Sequence, residues 1–190
     1  MANIPNTLPL PMERKLFFTE QFDQKSVAAL TKNIFEINED DRLLEKLYNV
    51  YDMEYKVSPI EIMIDSYGGR VYQCMGLISV VENSKTPIWT YVTGAAMSCG
   101  FILLISGHKR FAYKRATPLY HQVSSSAYGT VKEMEENLEE TKRLQDIVED
   151  ITIEKTKISK KKLTEIYDKK IDWYMSSSEA LALGVVDEII

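Results

Sequence analysis

Hydrophobic positions in this 190-residue chain follow two repeats, one of two residues and one of three to four. Lys15-Leu16-Phe17-Phe18 reads as a short strand. From Lys25 to Ile37, the spacing of Val27, Leu30, Ile34 and Ile37 predicts one face of a helix. A polar, acidic stretch at Asn38–Arg42 then leads into a second amphipathic segment. Pro59-Ile60-Glu61-Ile62-Met63-Ile64-Asp65 is β-branched and strand-like, and it runs into Ser66-Tyr67-Gly68-Gly69. Val71, Met75, Ile78 and Val81–Glu82 resume a helix. Pro87–Val92 is another apolar strand, followed by the small-residue stretch Thr93–Gly100 and a buried helical run at Phe101–Ile105. Ser106–Arg110 reads as a turn, and Phe111–Tyr113 and Thr117–His121 complete the strands. Strands alternating with helices imply an α/β fold built from βαβ units with a mostly parallel sheet.

The segment from about Thr130 to Glu154 differs. Met134, Leu138, Thr141, Leu144, Val148 and Ile151 trace one stripe through dense Glu and Lys. Such a helix is ~38 Å long at 1.5 Å per residue. A compact globule of this size has a radius of gyration of about 16 Å. One end of the helix is therefore expected to project, its stripe covered by another copy of the chain. Residues 1–12 hold Pro5, Pro9 and Pro11, half of the six prolines, which predicts an irregular N-terminal arm before a single domain over 13–190.

Composition narrows the class. Hydrophobic residues make up 45% and charged residues 27%, as in ordinary globular domains. Twenty-three basic against 28 acidic residues give a net charge of −5, opposite to the field of a nucleic-acid binder. Cys74 and Cys99 are the only cysteines and the histidines are two and unclustered, so neither a metal site nor another cofactor is expected. The reading is a cytoplasmic protein with no signal peptide and no membrane span.

Ser98 sits in Gly94-Ala95-Ala96-Met97-Ser98-Cys99-Gly100, at a strand-to-helix turn. There it reads either as an exposed nucleophile beside free helix N–H groups or as an N-cap. His108 lies in a polar turn and reads as solvated surface; His121 ends an apolar strand and reads as a base or as a carbonyl-bonded structural residue. A triad also needs an orienting acid. Asp172 precedes Trp173-Tyr174-Met175, which should bury it partly, while Asp65, Asp168 and Asp187 compete with it. Gly68-Gly69 after a strand suits an oxyanion hole or a plain tight turn. The run Lys155, Lys157, Lys160, Lys161, Lys162 reads as a solvated helix face that Ser159 could cap.

Together, Ile64–Gly69 (IDSYGG), Gly94–Gly100 (GAAMSCG), Pro118–Gln122 (PLYHQ) and Asp172–Asp187 (DWYMSSSEALALGVVD) resemble the Clp protease proteolytic subunit (ClpP) family, over about Glu13–Ile189. The resemblance implies a ClpP/crotonase-like α/β spiral of βαβ units with a projecting handle helix at about 130–155. It implies a Ser-His-Asp serine endopeptidase, with Ser98 as nucleophile, His121 as base and Asp172 as orienting carboxylate. Gly69 and Cys99 would supply oxyanion N–H groups. Extended polypeptide substrate would add as a strand between Gly68, Arg70 and Val71 on one side and Gln122 and Val123 on the other. The family further implies heptameric rings stacked into a homo-oligomeric tetradecamer, fed by an ATP-dependent AAA+ unfoldase.

Tyr67, Cys99, Val123, Ser124–Ser126 and Glu61 depart from the residues usual in the family. They bear on the oxyanion turn, ring joining and unfoldase docking. Three alternatives stand beside the peptidase: a non-catalytic ring subunit, an acyl-CoA enzyme of the related crotonase fold, and a specialised processing protease such as one maturing a phage capsid.

Overall fold

The computed structural model describes residues 11–190. Most of the arm expected over 1–12 lies outside the described residues; Pro11 and Met12 belong to neither a helix nor a strand. Seven strands form one sheet: β1 (Lys15–Phe18), β2 (Ile60–Ser66), β3 (Ile88–Met97), β4 (Lys109–Ala112), β5 (Thr117–Tyr120), β6 (Trp173–Tyr174) and β7 (Glu188–Ile189). Among the described residues six helices accompany them: α1 (Gln24–Val50), α2 (Val71–Asn83), α3 (Cys99–Ser106), α4 (Val131–Lys155), α5 (Lys160–Lys169) and α6 (Ser177–Ala182). The sheet order is β1-β2-β3-β4-β7, with β5 on β3 and β6 on β5. Every pairing is parallel except β5 with β6. No helix among the described residues is long and apolar enough to cross a membrane.

β3 organises the site because it serves two strands in succession. Trp89–Val92 pair with β4, and Ala95–Met97 then pair with β5. The far side of β3 meets β2, whose register shifts between Ile64 and Ser66. Parallel strands covered on both faces need apolar residues at nearly every position, which explains the almost continuous burial of β2. All eight residues of α3 are buried, as its apolar run Phe101–Ile105 requires, and the Ser106 hydroxyl donates to the Ile102 carbonyl. Ile34, Ile37, Ile62, Ile64, Leu77 and Leu103 are fully enclosed in one core, each worth about 1.5–3 kcal/mol of transfer free energy.

The break expected at Asn38–Arg42 is absent: α1 runs unbroken for 27 residues from a capping box of Asp23 and Ser26. Two of its polar residues there, Asn38 and Asp41, face inward to specific partners, while exposed Glu39 and Arg42 pair with each other. Asn38 Oδ1 accepts from the Lys85 and Thr86 N–H groups, and buried Asp41 accepts from Arg14, Tyr55 and Thr86. The turn expected through Arg110 ends earlier, because Lys109 and Arg110 already pair with Trp89 and Thr90. α4 spans 25 residues from a Thr130–Glu133 capping box. Its stripe divides: Leu144 and Val148 are buried, whereas Val131, Met134 and Leu138 are exposed.

Candidate active site

Sheet register brings distant residues together. Met97 pairs with Leu119, and the next residue, Ser98, donates its N–H to the Leu119 carbonyl at 3.1 Å. On the other edge of β5, Tyr120 pairs with Trp173, so continuing the antiparallel register sets His121 opposite Asp172. His121 Nδ1 lies 3.8 Å from Asp172 Oδ1, an ion-pair distance beyond hydrogen-bond range. Among the described residues, no hydrogen bond joins Ser98 Oγ to His121, though both line the same cavity of about 50 Å³.

Ser98 is the residue before α3 and adopts φ 55°, ψ −119°, with no capping bond from its side chain. The simple N-cap reading is therefore set aside. A non-glycine residue in such a region costs on the order of 1–3 kcal/mol and persists only where its surroundings hold it. Here the Leu119 carbonyl holds the Ser98 N–H, and the Phe101 and Ile102 N–H groups hold its carbonyl at 3.0 and 3.2 Å. The hydroxyl is left for the cavity.

Phe22 fixes the glycine turn from behind. Its N–H donates to the Gly68 carbonyl at 2.9 Å, and its carbonyl accepts from the Arg70 N–H at 2.8 Å. Gly68 has φ 100°, and a Cβ at Gly69 would stand 2.6 Å from the Phe22 nitrogen, so neither position tolerates a side chain without movement. Among the described residues, the N–H groups of Gly69 and Cys99 donate to no protein acceptor. Cys99 Sγ reaches the Gly69 carbonyl at 3.4 Å, tying the turn to the start of α3. Burial pushes the Cys74 thiol up from its ordinary pKa, while its contact with Cys99 holds the Cys99 thiol below the usual value.

Val71, Gln122 and Val123 line the cavity with Gly69, Cys99, Ser98 and His121, beside apolar Met75, Ile102 and Val148. Gly68 lies against Ser98 from behind. Two of the residues expected to pair with substrate have their N–H groups engaged within the chain. The Arg70 N–H donates to the Phe22 carbonyl and the Val123 N–H to Gln145 Oε1 at 2.7 Å, which leaves their carbonyls as the groups a peptide strand would meet. Asp172 also differs from expectation, its side chain being 63% exposed, because it precedes a two-residue edge strand rather than entering the core.

Of the competing carboxylates, Asp65 accepts from the Ala95 N–H and Asp187 is engaged by Arg110. Among the described residues, Asp172 is the carboxylate within ion-pair distance of His121. His108 is exposed, as expected, and its Nδ1 accepts from the Ile88 N–H. Ser159 caps α5. Lys160 is not simply solvated, since it meets buried Glu149 at 2.6 Å. Phe22 and Gln145 escape sequence reading: one is an apolar residue among many, the other a polar residue in a polar helix.

The family model described as Clp protease matches residues 10–190, and the chain belongs to that family. It is 31% identical over 141 residues to the ATP-dependent Clp protease proteolytic subunit of Deinococcus radiodurans, covering 73% of this chain and 68% of the relative. It is 27% identical over 196 residues to the protein of the same name from Dehalococcoides mccartyi strain BAV1, covering 100% of this chain and 97% of the relative.

Proposed function

We propose that this chain is the proteolytic subunit of a Clp-type protease and a serine endopeptidase. Ser98 Oγ attacks the peptide carbonyl while His121 takes its proton and returns it to the leaving amine. Asp172 orients the imidazole and stabilises its protonated form, and the free N–H groups of Gly69 and Cys99 receive the oxyanion. The observation that carries this reading is Ser98 itself, held at φ 55° at the start of α3 in one cavity with His121, beside two unengaged amides. A nucleophile–base pair looser than hydrogen-bond distance is common in enzymes without substrate and tightens in the productive complex.

Assembly completes the proposal. The exposed Val131, Met134 and Leu138 on α4 need cover, which stacked homo-oligomeric rings, a tetradecamer of heptamers, would supply. The relatives are named as ATP-dependent, and a AAA+ unfoldase is the matching source of unfolded polypeptide in the cytoplasm. Glu61, paired with Lys15 at 3.5 Å, puts charge where the family's docking pocket is usually aromatic.

Cleavage of short fluorogenic peptides by the purified protein tests the reading. The wild type is expected to turn over and Ser98→Ala to be inactive with unchanged native mass; equal turnover by both would refute it. The 3.8 Å gap between His121 and Asp172 favours one other reading, a non-catalytic ring subunit, which predicts no turnover by either protein.

A further inference from the structure

The triad's carboxylate holds His121 loosely: Asp172 is 63% exposed and beyond hydrogen-bond range. The buried restraint on the same stretch comes from α4. Gln145 is 5% exposed, and its Oε1 accepts from the Val123 N–H at 2.7 Å, two residues after His121. Its Nε2 donates to Tyr120 Oη, immediately before His121, at 3.4 Å, and to Glu149 Oε1 at 2.9 Å. The amide orientation is forced, because a flip would set an NH₂ against the Val123 N–H and an oxygen against a carboxylate. Glu149 is itself 6% exposed and its second oxygen accepts from Lys160 Nζ at 2.6 Å, so every polar atom of the relay is engaged.

We infer that Gln145, backed by Glu149 and Lys160, is a positioning residue that clamps the chain on either side of His121, at Tyr120 and at Val123, and so sets the base relative to Ser98. The inference rests on the serine-peptidase reading above and deepens it. β5 ends at Tyr120, and residues 121–130 belong to no helix or strand. Without the clamp, the strand ladder stops one residue short of the imidazole. Val123 provides the N–H that makes the clamp possible; a proline there would have none to offer.

Gln145→Met removes all three polar contacts, to Val123, Tyr120 and Glu149, at nearly constant volume. The test compares its fluorophosphonate labelling rate and peptide kinetics with those of the full-length wild type at 25 °C. Misplacing a general base is expected to lower the labelling rate and kcat roughly 10- to 100-fold while KM stays within about twofold. The exchanged pair Gln145→Glu with Glu149→Gln keeps an acceptor for Val123 and a donor–acceptor bond between the two positions, and should recover to within about threefold. A purely structural role would lower thermal stability but leave the labelling rate per folded subunit unchanged. If Gln145→Met does not fold, Gln145→Asn, whose amide falls one methylene short of Val123, carries the same expectation. Equal labelling of wild type and either single variant overturns the clamp alone. A wild type that the probe does not label overturns the peptidase reading and the clamp together.

Discussion

Gly68 lies so close behind Ser98 that a Cβ built on the glycine falls 2.7 Å from the serine Cβ. The same Cβ would meet the Met97 carbonyl at 2.9 Å, and Gly68 already occupies φ 100°. The strand-to-helix turn bearing Ser98 and the glycine turn bearing Gly69 are thus packed backbone to backbone. Gly68→Ala is expected to destabilise the fold by about 2 kcal/mol or more and to depress labelling of Ser98, since strain and overpacking act together. Thermal unfolding alongside probe labelling checks this; an unchanged melting temperature would mean the two turns are not rigidly coupled.

Asp172 and His121 share a register but not a hydrogen bond, which separates catalytic from structural effects. Asp172→Asn should lower kcat by roughly 10²–10⁴-fold, because the imidazole loses its tautomer control and its counter-charge. Stability should change by no more than about 0.5 kcal/mol, as for other exposed positions. Steady-state kinetics and chemical denaturation on the same preparation make the comparison, and full activity in the variant would remove Asp172 from the mechanism.

Much of the fold is legible in the sequence, and the exceptions share a cause. β1, β2, α2, α3 and α4 fall close to where apolar periodicity sets them, because their burial follows from their own residues. α1 reads as interrupted at Asn38–Arg42 because the stretch is polar, yet Asn38 and Asp41 within it find partners in Arg14, Tyr55, Thr86 and the chain at Lys85. Such partners lie across the fold, where no local period reveals them. The site divides in the same way. Small residues around Ser98 and the paired glycines mark their turns locally. The pairing of His121 with Asp172 depends on the register of the two-residue β6, too short to carry a pattern. Gln145 acts through a backbone N–H and leaves no motif at all.

The buried cluster around Asp41 predicts a pH dependence. Burial alone would raise its carboxyl, but hydrogen bonds from Arg14, Thr86 and Tyr55 outweigh it and hold the pKa below the ordinary value. A carboxylate depressed in the folded state contributes stability that is complete above its unfolded pKa, about 3.9, and is lost as pH falls through the folded value. Denaturant midpoints for the wild type should therefore decline as pH falls below about 4. Asp41→Ala leaves the largely buried Arg14 without its carboxylate counter-charge, so a loss of about 3 kcal/mol at neutral pH is expected, with a flatter acid limb.

The exposed end of α4 makes a prediction about assembly. Met134 and Leu138 lie one helical turn apart on its uncovered stripe. Leu138→Glu should shift the native mass downward in analytical ultracentrifugation while leaving the melting of the dissociated subunit near that of the wild type. The same sedimentation profile for both proteins would show that this stripe is not an interface.

Covalent labelling of the wild-type protein with a fluorophosphonate, followed by tandem mass spectrometry, is the most direct test of the site. The adduct is expected on Ser98 and should be lost in His121→Ala. An adduct on another residue, or none on folded and assembled protein, would contradict the account.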